Sequence, residues 1–236
     1  MSLLTRSDLS EPQCQHRSPR VTITAVNARP YQLRTLVIGD DPASWADAGF
    51  AIDGATTRIA NTAISLVGTE SGRGILRATV DGIDAAIDGM PFGGHDILES
   101  EASLHPNGAV DFDHLVAMSP DMDRTTATLL GAGLEHRRTR TFDAGGTTRR
   151  QAFFWLGDVI LELVGEDDAH GDGPALLWGL ALTCVDLQAT AMRLGDALGA
   201  AKPAVQRGRE IATLRTKELG ISVPIALMSP HASPAG

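Results

Sequence analysis

The second half of the chain states one pattern twice, and that repeat constrains the fold more than any other feature. A strand-like segment around His114 leads into an amphipathic helix pattern, two polar and aromatic strands, and Val159-Ile-Leu-Glu-Leu-Val164. The order restarts at Trp178-Gly-Leu-Ala-Leu-Thr-Cys-Val-Asp-Leu187 and ends on Val223-Pro-Ile-Ala-Leu-Met-Ser229. His114 and Glu162 lie 48 positions apart, and Gly179 and Ala226 lie 47 apart. A supersecondary unit repeated at a fixed period sets the architecture before any residue is given a role.

Each unit reads as β-α-β-β-β, and the spacing predicts paired units over 113–166 and 177–229. Leu187, Ala191, Leu194 and Leu198 recur at helical spacing, with Asp186 placed to cap that helix. Asp121 and Asp123 sit where a helix start favours negative charge. Asp143-Ala-Gly-Gly146 and Arg207-Gly208 read as turns between strands. Upstream, Leu33–Gly39 reads as a strand, Asp41-Pro42 as a helix start, and Ala63–Val67 as a closing strand. A further strand over Ile75–Val80 and a short helix over Gly82–Met90 make a degraded unit. The expected fold class is α+β, with paired βαβββ units forming cupped mixed sheets. The expected organisation is a disordered leader over 1–20, a reduced region over 21–110, a complete domain over 111–230 and a flexible tail over 231–236.

Composition excludes several classes. A net charge of −9 argues against a general nucleic-acid surface. No apolar run is long enough to span a bilayer, and the first residues lack a signal-peptide core, so the expected location is cytoplasmic. Cys14 and Cys184 are far apart, and no Cys-x-x-Cys motif points to a thiolate metal site or a dithiol. The expected partner is a small molecule, with neither nucleic acid nor membrane.

The run Asp113-His-Leu-Val-Ala-Met-Ser-Pro-Asp-Met-Asp123, followed by a helix, Ile160-Leu-Glu-Leu-Val164 and a second unit, resembles the vicinal oxygen chelate superfamily. Glyoxalase I, extradiol dioxygenases, epimerases and bleomycin-resistance proteins belong to it. The resemblance is good over 113–229 and weaker over 33–90. It implies a cupped sheet around a small-molecule site and, in metal-dependent members, one ligand on the first and one on the last strand of each unit. Those positions fall on His114 and Glu162 in one unit, and on Gly179 and Ala226 in the other.

His114 and Glu162 are accordingly the candidate acid/base pair, or two ligands of an incomplete set for a divalent metal. His95, Glu99, Glu101 or His105 could complete that set if the irregular stretch reaches the site. The competing reading makes His114 a satisfied core residue and pairs Glu162 with an arginine. Gly179 and Ala226 supply space instead of ligands, in a hollow expected to be lined by Ala181, Thr183, Phe154 and Met228. Arg150, Arg209 and Arg215 are candidates to bind a substrate anion if they point inward, and Trp178 and Phe154 are assigned to substrate contact. The resemblance implies glyoxalase-like chemistry, a lyase or isomerase step beside a carbonyl. The alternative is non-catalytic sequestration of the bleomycin-resistance kind. A homodimer is compatible with either.

Overall fold

The computed structural model describes residues 31–94, 98 and 104–231. The leader expected over 1–20, together with His95, Glu99 and Glu101, lies outside them, as does the tail beyond His231. Among the described residues, no helix is long and apolar enough to cross a membrane.

The repeat builds one eight-stranded sheet. Its first unit contains β5 (Ala109–Met118), α2 (Met122–Gly131), β6 (His136–Ala144), β7 (Thr147–Leu156) and β8 (Val159–Glu166). The second contains β9 (Leu176–Cys184), α3 (Leu187–Leu194), β10 (Lys202–Pro203), β11 (Glu210–Thr213) and β12 (Ile225–Met228). The strand order is β10-β11-β12-β9-β5-β8-β7-β6. In each unit the first strand runs parallel to the last, β5 with β8 and β9 with β12, and the two first strands meet antiparallel at the centre.

Local chemistry explains the elements. Asp121 accepts a hydrogen bond from the Arg124 amide, and Asp186 accepts from the Gln188 and Ala189 amides. Each thus satisfies donors that a helix start leaves open. The β6–β7 hairpin turns on Gly145 and Gly146, both at positive φ, the conformation a tight two-residue turn needs. Side chains alternate along strands. Leu115, Ala117, Leu161, Leu163 and Phe154 enter the core with Met122 and Leu129 of α2. Their neighbours of opposite parity form the other face, which is the cup.

A four-stranded sheet of order β2-β3-β1-β4 precedes it, formed by β1 (Leu33–Ile38), β2 (Thr56–Ile59), β3 (Thr62–Leu66) and β4 (Ile75–Val80). β1 runs parallel to β3 and antiparallel to β4, the same central pattern as in the large sheet. The helix α1 (Pro42–Asp47) follows β1, with Pro42 in its first turn and Trp45 fully buried. Beyond β4, among the described residues, an isolated parallel bridge from Ala78 to Phe92 stands in place of a closing strand.

The short helix expected over Gly82–Met90 is absent. The segment is a series of turns with isolated bridges Val80–Ile83 and Ile87–Met90. Asp88 and Gly89 both adopt positive φ, which a right-handed helix cannot accommodate. The apolar spacing that suggested a helix instead sends Ile83, Ile87 and Met90 into the core.

The two sheets are fastened near β12. The Ser222 amide donates to the buried Asp40 carboxylate at 3.0 Å, and the Ser222 hydroxyl accepts from the Gly74 amide at 2.7 Å. Arg73 Nη2 donates to the Gly220 carbonyl at 2.8 Å.

Candidate functional site

Strand register assembles the site. Glu162 on β8 lies opposite Phe153 on β7, which lies opposite Arg138 on β6. The next row joins Gln151 to Arg140. His114 on β5 lies opposite Ala181 on β9, and Ala181 opposite Ala226 on β12. Directly paired residues share a face, so all of these project from the cup side.

All of them except Gln151 and Ala226 border a cavity of about 450 Å³. His114, Glu162, Arg138 and Arg140 give it polar groups, Phe153 and Met228 an apolar wall, and Lys202–Gln206 one side of its rim. A concave, mostly apolar site with a few converging polar groups is the usual form of a small-molecule pocket.

His114 is held by its neighbour. Its Nδ1 lies 2.5 Å from Asp113 Oδ1. Adjacent strand residues normally face opposite ways, but the β5–β9 register shifts between Phe112 and His114, and a bulge at that point re-aims a side chain. Asp113 also takes an ion pair from Arg209 Nη1 and a hydrogen bond from the Thr183 hydroxyl at 3.2 Å. Arg209 is itself anchored to the Ser229 carbonyl at 2.7 Å and to Thr183 at 3.0 Å. Burial alone would raise the Asp113 carboxyl, but the His114 ring and then Arg209 outweigh it and hold it well below the usual carboxylate range. With Nδ1 committed to Asp113, Nε2 is the ring nitrogen left for a ligand.

Glu162 has the opposite electrostatics. Burial pushes its carboxyl above the ordinary range, and the nearby His114, Arg140 and Arg138 charges only partly offset this. Its Oε1 accepts a hydrogen bond from Gln151 Nε2, and Gln151 Oε1 accepts from Arg140 Nε at 2.5 Å. A raised native pKa means that the folded state holds the proton more tightly than the unfolded chain does. The resulting stability is full below the unfolded pKa and is lost as pH rises through the folded one. Glu162→Gln keeps an acceptor for Gln151 and removes the charge. It should therefore stabilise the protein at pH 8, read as a higher Tm. Thermal melts should show that advantage shrinking in acid; a lower Tm at pH 8 would contradict it.

Several expected site residues lie elsewhere. Phe154 is fully buried and packs edge-on to His136; its neighbour Phe153 takes the cavity position because it is the one registered with Glu162. Arg150 has the parity opposite to Gln151, so it leaves the cup for Asp123, at 2.5 Å, and Asp167. Arg209 points inward but serves Asp113 rather than a ligand. Arg215 lies beyond β11 and pairs with Glu218 at 3.5 Å. Trp178 is 46% exposed and outside the cavity. Gly179 opens no ligand space, since a Cβ there would meet the Pro224 carbonyl oxygen at 3.0 Å. The residues facing His114 across the cup are Ala181 and Met228. Thr183 serves the Asp113–Arg209 pair instead of the hollow.

The described residues do not fit a metal centre of three or four protein ligands. Among them no cluster of three or more His, Cys, Asp or Glu side chains is suited to an ion, and the positions across from His114 carry Ala181 and Met228. His105 does not reach the site. Its Nδ1 accepts from the Ala51 amide and its Nε2 donates to the Arg58 carbonyl, within the smaller sheet's half of the molecule.

No family model and no curated protein matches the sequence. Solved structures do match in shape. A mutant of 4-hydroxymandelate synthase from Streptomyces coelicolor is 12% identical with a TM-score of 0.61, over 88% of this chain and 95% of its own. A xylose isomerase-like TIM barrel/4-hydroxyphenylpyruvate dioxygenase fusion protein is 14% identical with a TM-score of 0.61, over 93% of this chain and 52% of its own. An extradiol ring-cleaving dioxygenase from B. fuscum is 15% identical with a TM-score of 0.52, over 88% of this chain and 74% of its own. At these identities the likeness is one of fold, and it agrees with the repeated units and the cup: the chain has the vicinal oxygen chelate, or glyoxalase-like, fold.

Proposed function

We propose that the protein acts on a small organic molecule in the cup, moving a proton at a carbon beside a carbonyl in a lyase or isomerase step. The observation that carries this reading is the pairing of unlike groups in one cavity: a carboxyl whose pKa is raised by burial, and an imidazole fixed by a charged aspartate. A carboxylate and an imidazole held in one cavity suit the roles of base and acid. Glu162, as carboxylate, takes the proton from carbon. The C–H bonding electrons pass to the carbonyl oxygen, and His114, doubly protonated with Nδ1–H on Asp113, donates Nε2–H to the enolate oxygen. Return of the proton to the same or a neighbouring carbon completes an isomerisation, while loss of a leaving group from the adjacent carbon completes an elimination. Asp113 holds the ring so that Nε2 points outward from the dyad, and Phe153 and Met228 screen the base from water.

The rival reading is sequestration without turnover. It is favoured by the hydrogen bond that already satisfies Glu162 through Gln151. Purified protein incubated in heavy water with a panel of small carbonyl acids separates the two. Loss of the proton signal beside the carbonyl by NMR, dependent on Glu162, supports the enzyme. Binding with no exchange for any member supports sequestration.

A further inference from the structure

Several surface arginines of this acidic protein find a carboxylate. Arg34 pairs with Asp81, Arg124 with Asp88, Arg149 with Glu166, Arg150 with Asp123 and Asp167, and Arg215 with Glu218. Arg138 and Arg140, which border the cavity, form no salt bridge among the described residues. The Arg138 guanidinium lies over the Phe153 ring, 4.5 Å from its centroid. Arg140 commits Nε to Gln151 and lies 5.4 Å from the Phe142 ring centroid. Neither of its terminal nitrogens has a hydrogen-bond partner among the described residues. A guanidinium offers five donors in a rigid fork suited to a carboxylate or phosphate. Two such forks on one strand face, two residues apart, form a preorganised receptor for a small anion.

Gln151 connects this receptor to the other polar group of the cavity. Its amide accepts from Arg140 on one end and donates to Glu162 on the other, so the two ionic groups are joined through a single side chain. We infer that Arg138 and Arg140 form an anion subsite for a small carboxylate or phosphate ligand, and that Gln151 couples its occupancy to the charge on Glu162. This rests on the cup being the ligand site and not on any turnover.

An anion on Arg140 cancels positive field that otherwise steadies the Glu162 carboxylate, and adds a negative charge beside it. The bound anion therefore favours neutral Glu162. By reciprocity, neutral Glu162 favours the anion, and couplings of this kind are typically about 5–150-fold. The other charged groups around Glu162 are His114 and Asp113 from β5, Arg138 from β6 and Lys202 from β10. The His114 ring is a second ionisable group beside the site, so the wild-type pH profile alone does not isolate Glu162. A comparison with a variant that cannot ionise at that position does.

The experiment is isothermal titration of the full-length protein with benzoate and, separately, with inorganic phosphate, at pH 8 and pH 5.5. The variants are Arg138→Gln/Arg140→Gln and Glu162→Gln, each checked for native circular dichroism. The double arginine variant should bind whichever anion the wild type binds at least about tenfold more weakly, since charge-assisted bidentate contacts are lost. At pH 8, Glu162→Gln should bind about 5–150-fold more tightly than the wild type, and the gap should narrow at pH 5.5. Preference for benzoate identifies a carboxylate ligand with an apolar body against Phe153; preference for phosphate identifies a phosphorylated one. Undiminished affinity in the arginine variant, or no binding of either anion by the wild type, overturns the subsite. Equal affinity of the wild type and Glu162→Gln at pH 8 overturns the coupling. A failure of proton exchange would leave all these binding results standing, so the subsite and the proposed chemistry fail separately.

Discussion

Replacing Asp113 with alanine is expected to destabilise the protein by about 3–5 kcal/mol at pH 7, the usual cost of stranding a buried charge. The charge stranded is Arg209, whose side chain is only 1% exposed. Its remaining contacts, to the Ser229 carbonyl, Thr183 and Gln206, supply hydrogen-bond acceptors but no counter-charge. Asp113→Asn, which keeps an acceptor oxygen, should lose less. The double variant Asp113→Ala/Arg209→Met should recover part of the loss, because removing both charges avoids leaving one uncompensated. Equilibrium urea unfolding measures all three.

The pH dependence has a definite sign. The native Asp113 carboxyl is held below its unfolded value, so its contribution is present above the ordinary carboxylate range and lost as pH falls through the native pKa. The gap between wild type and Asp113→Ala should thus be flat between about pH 6 and 8 and close only in strong acid. A loss below about 1 kcal/mol, within the range of an exposed pair, would show that the ion pair is not buried as described.

The second large effect concerns turnover. If Glu162 is the base, Glu162→Gln should slow proton exchange by about 10²–10⁴-fold while ligand binding persists. Loss of rate with retained binding is the signature of an interaction needed in the transition state rather than the ground state. The wild-type rate should fall in acid at a pH above the ordinary glutamate range, because burial raises the pKa through which the base is lost. His114→Gln removes the acid and should lower the rate without moving that acid limb to ordinary glutamate values. A Glu162→Gln enzyme with unchanged exchange would move the base elsewhere in the cup.

The parts of this molecule legible in its sequence are those governed by local rules. The repeated order of elements predicted the paired units, and the resemblance to the vicinal oxygen chelate superfamily singled out His114 and Glu162, which border one cavity. Asp186 and the Gly145-Gly146 turn announced themselves by residue type. What stayed hidden depends on register and on distant partners. Phe153 and Phe154 are equivalent as a dipeptide, and only the pairing of Phe153 with Glu162 decides which one meets a ligand. Gly179 matched His114 by count, yet the irregularities between β5 and β9 bring Ala181 opposite instead. Arg138 and Arg140 are not among the sequence candidates, because nothing local tells a solvated arginine from one beside a cavity. Asp113 would have been assigned to the outer face by alternation, and Arg209, 96 positions away, gives no sign in sequence of being its partner.

Ser222 gives the two sheets a shared history. Its amide and hydroxyl are claimed by Asp40 and Gly74, three residues before the strand that brings Met228 to the cavity. Topology alone makes the smaller sheet look like an interchangeable block, open to exchange by recombination with another β-α-β-β segment. The clasp removes that freedom. A transplanted segment without a carboxylate at the position of Asp40 would leave the Ser222 amide unanswered beside β12. Drift in the smaller sheet is therefore restrained by the sheet that borders the cavity.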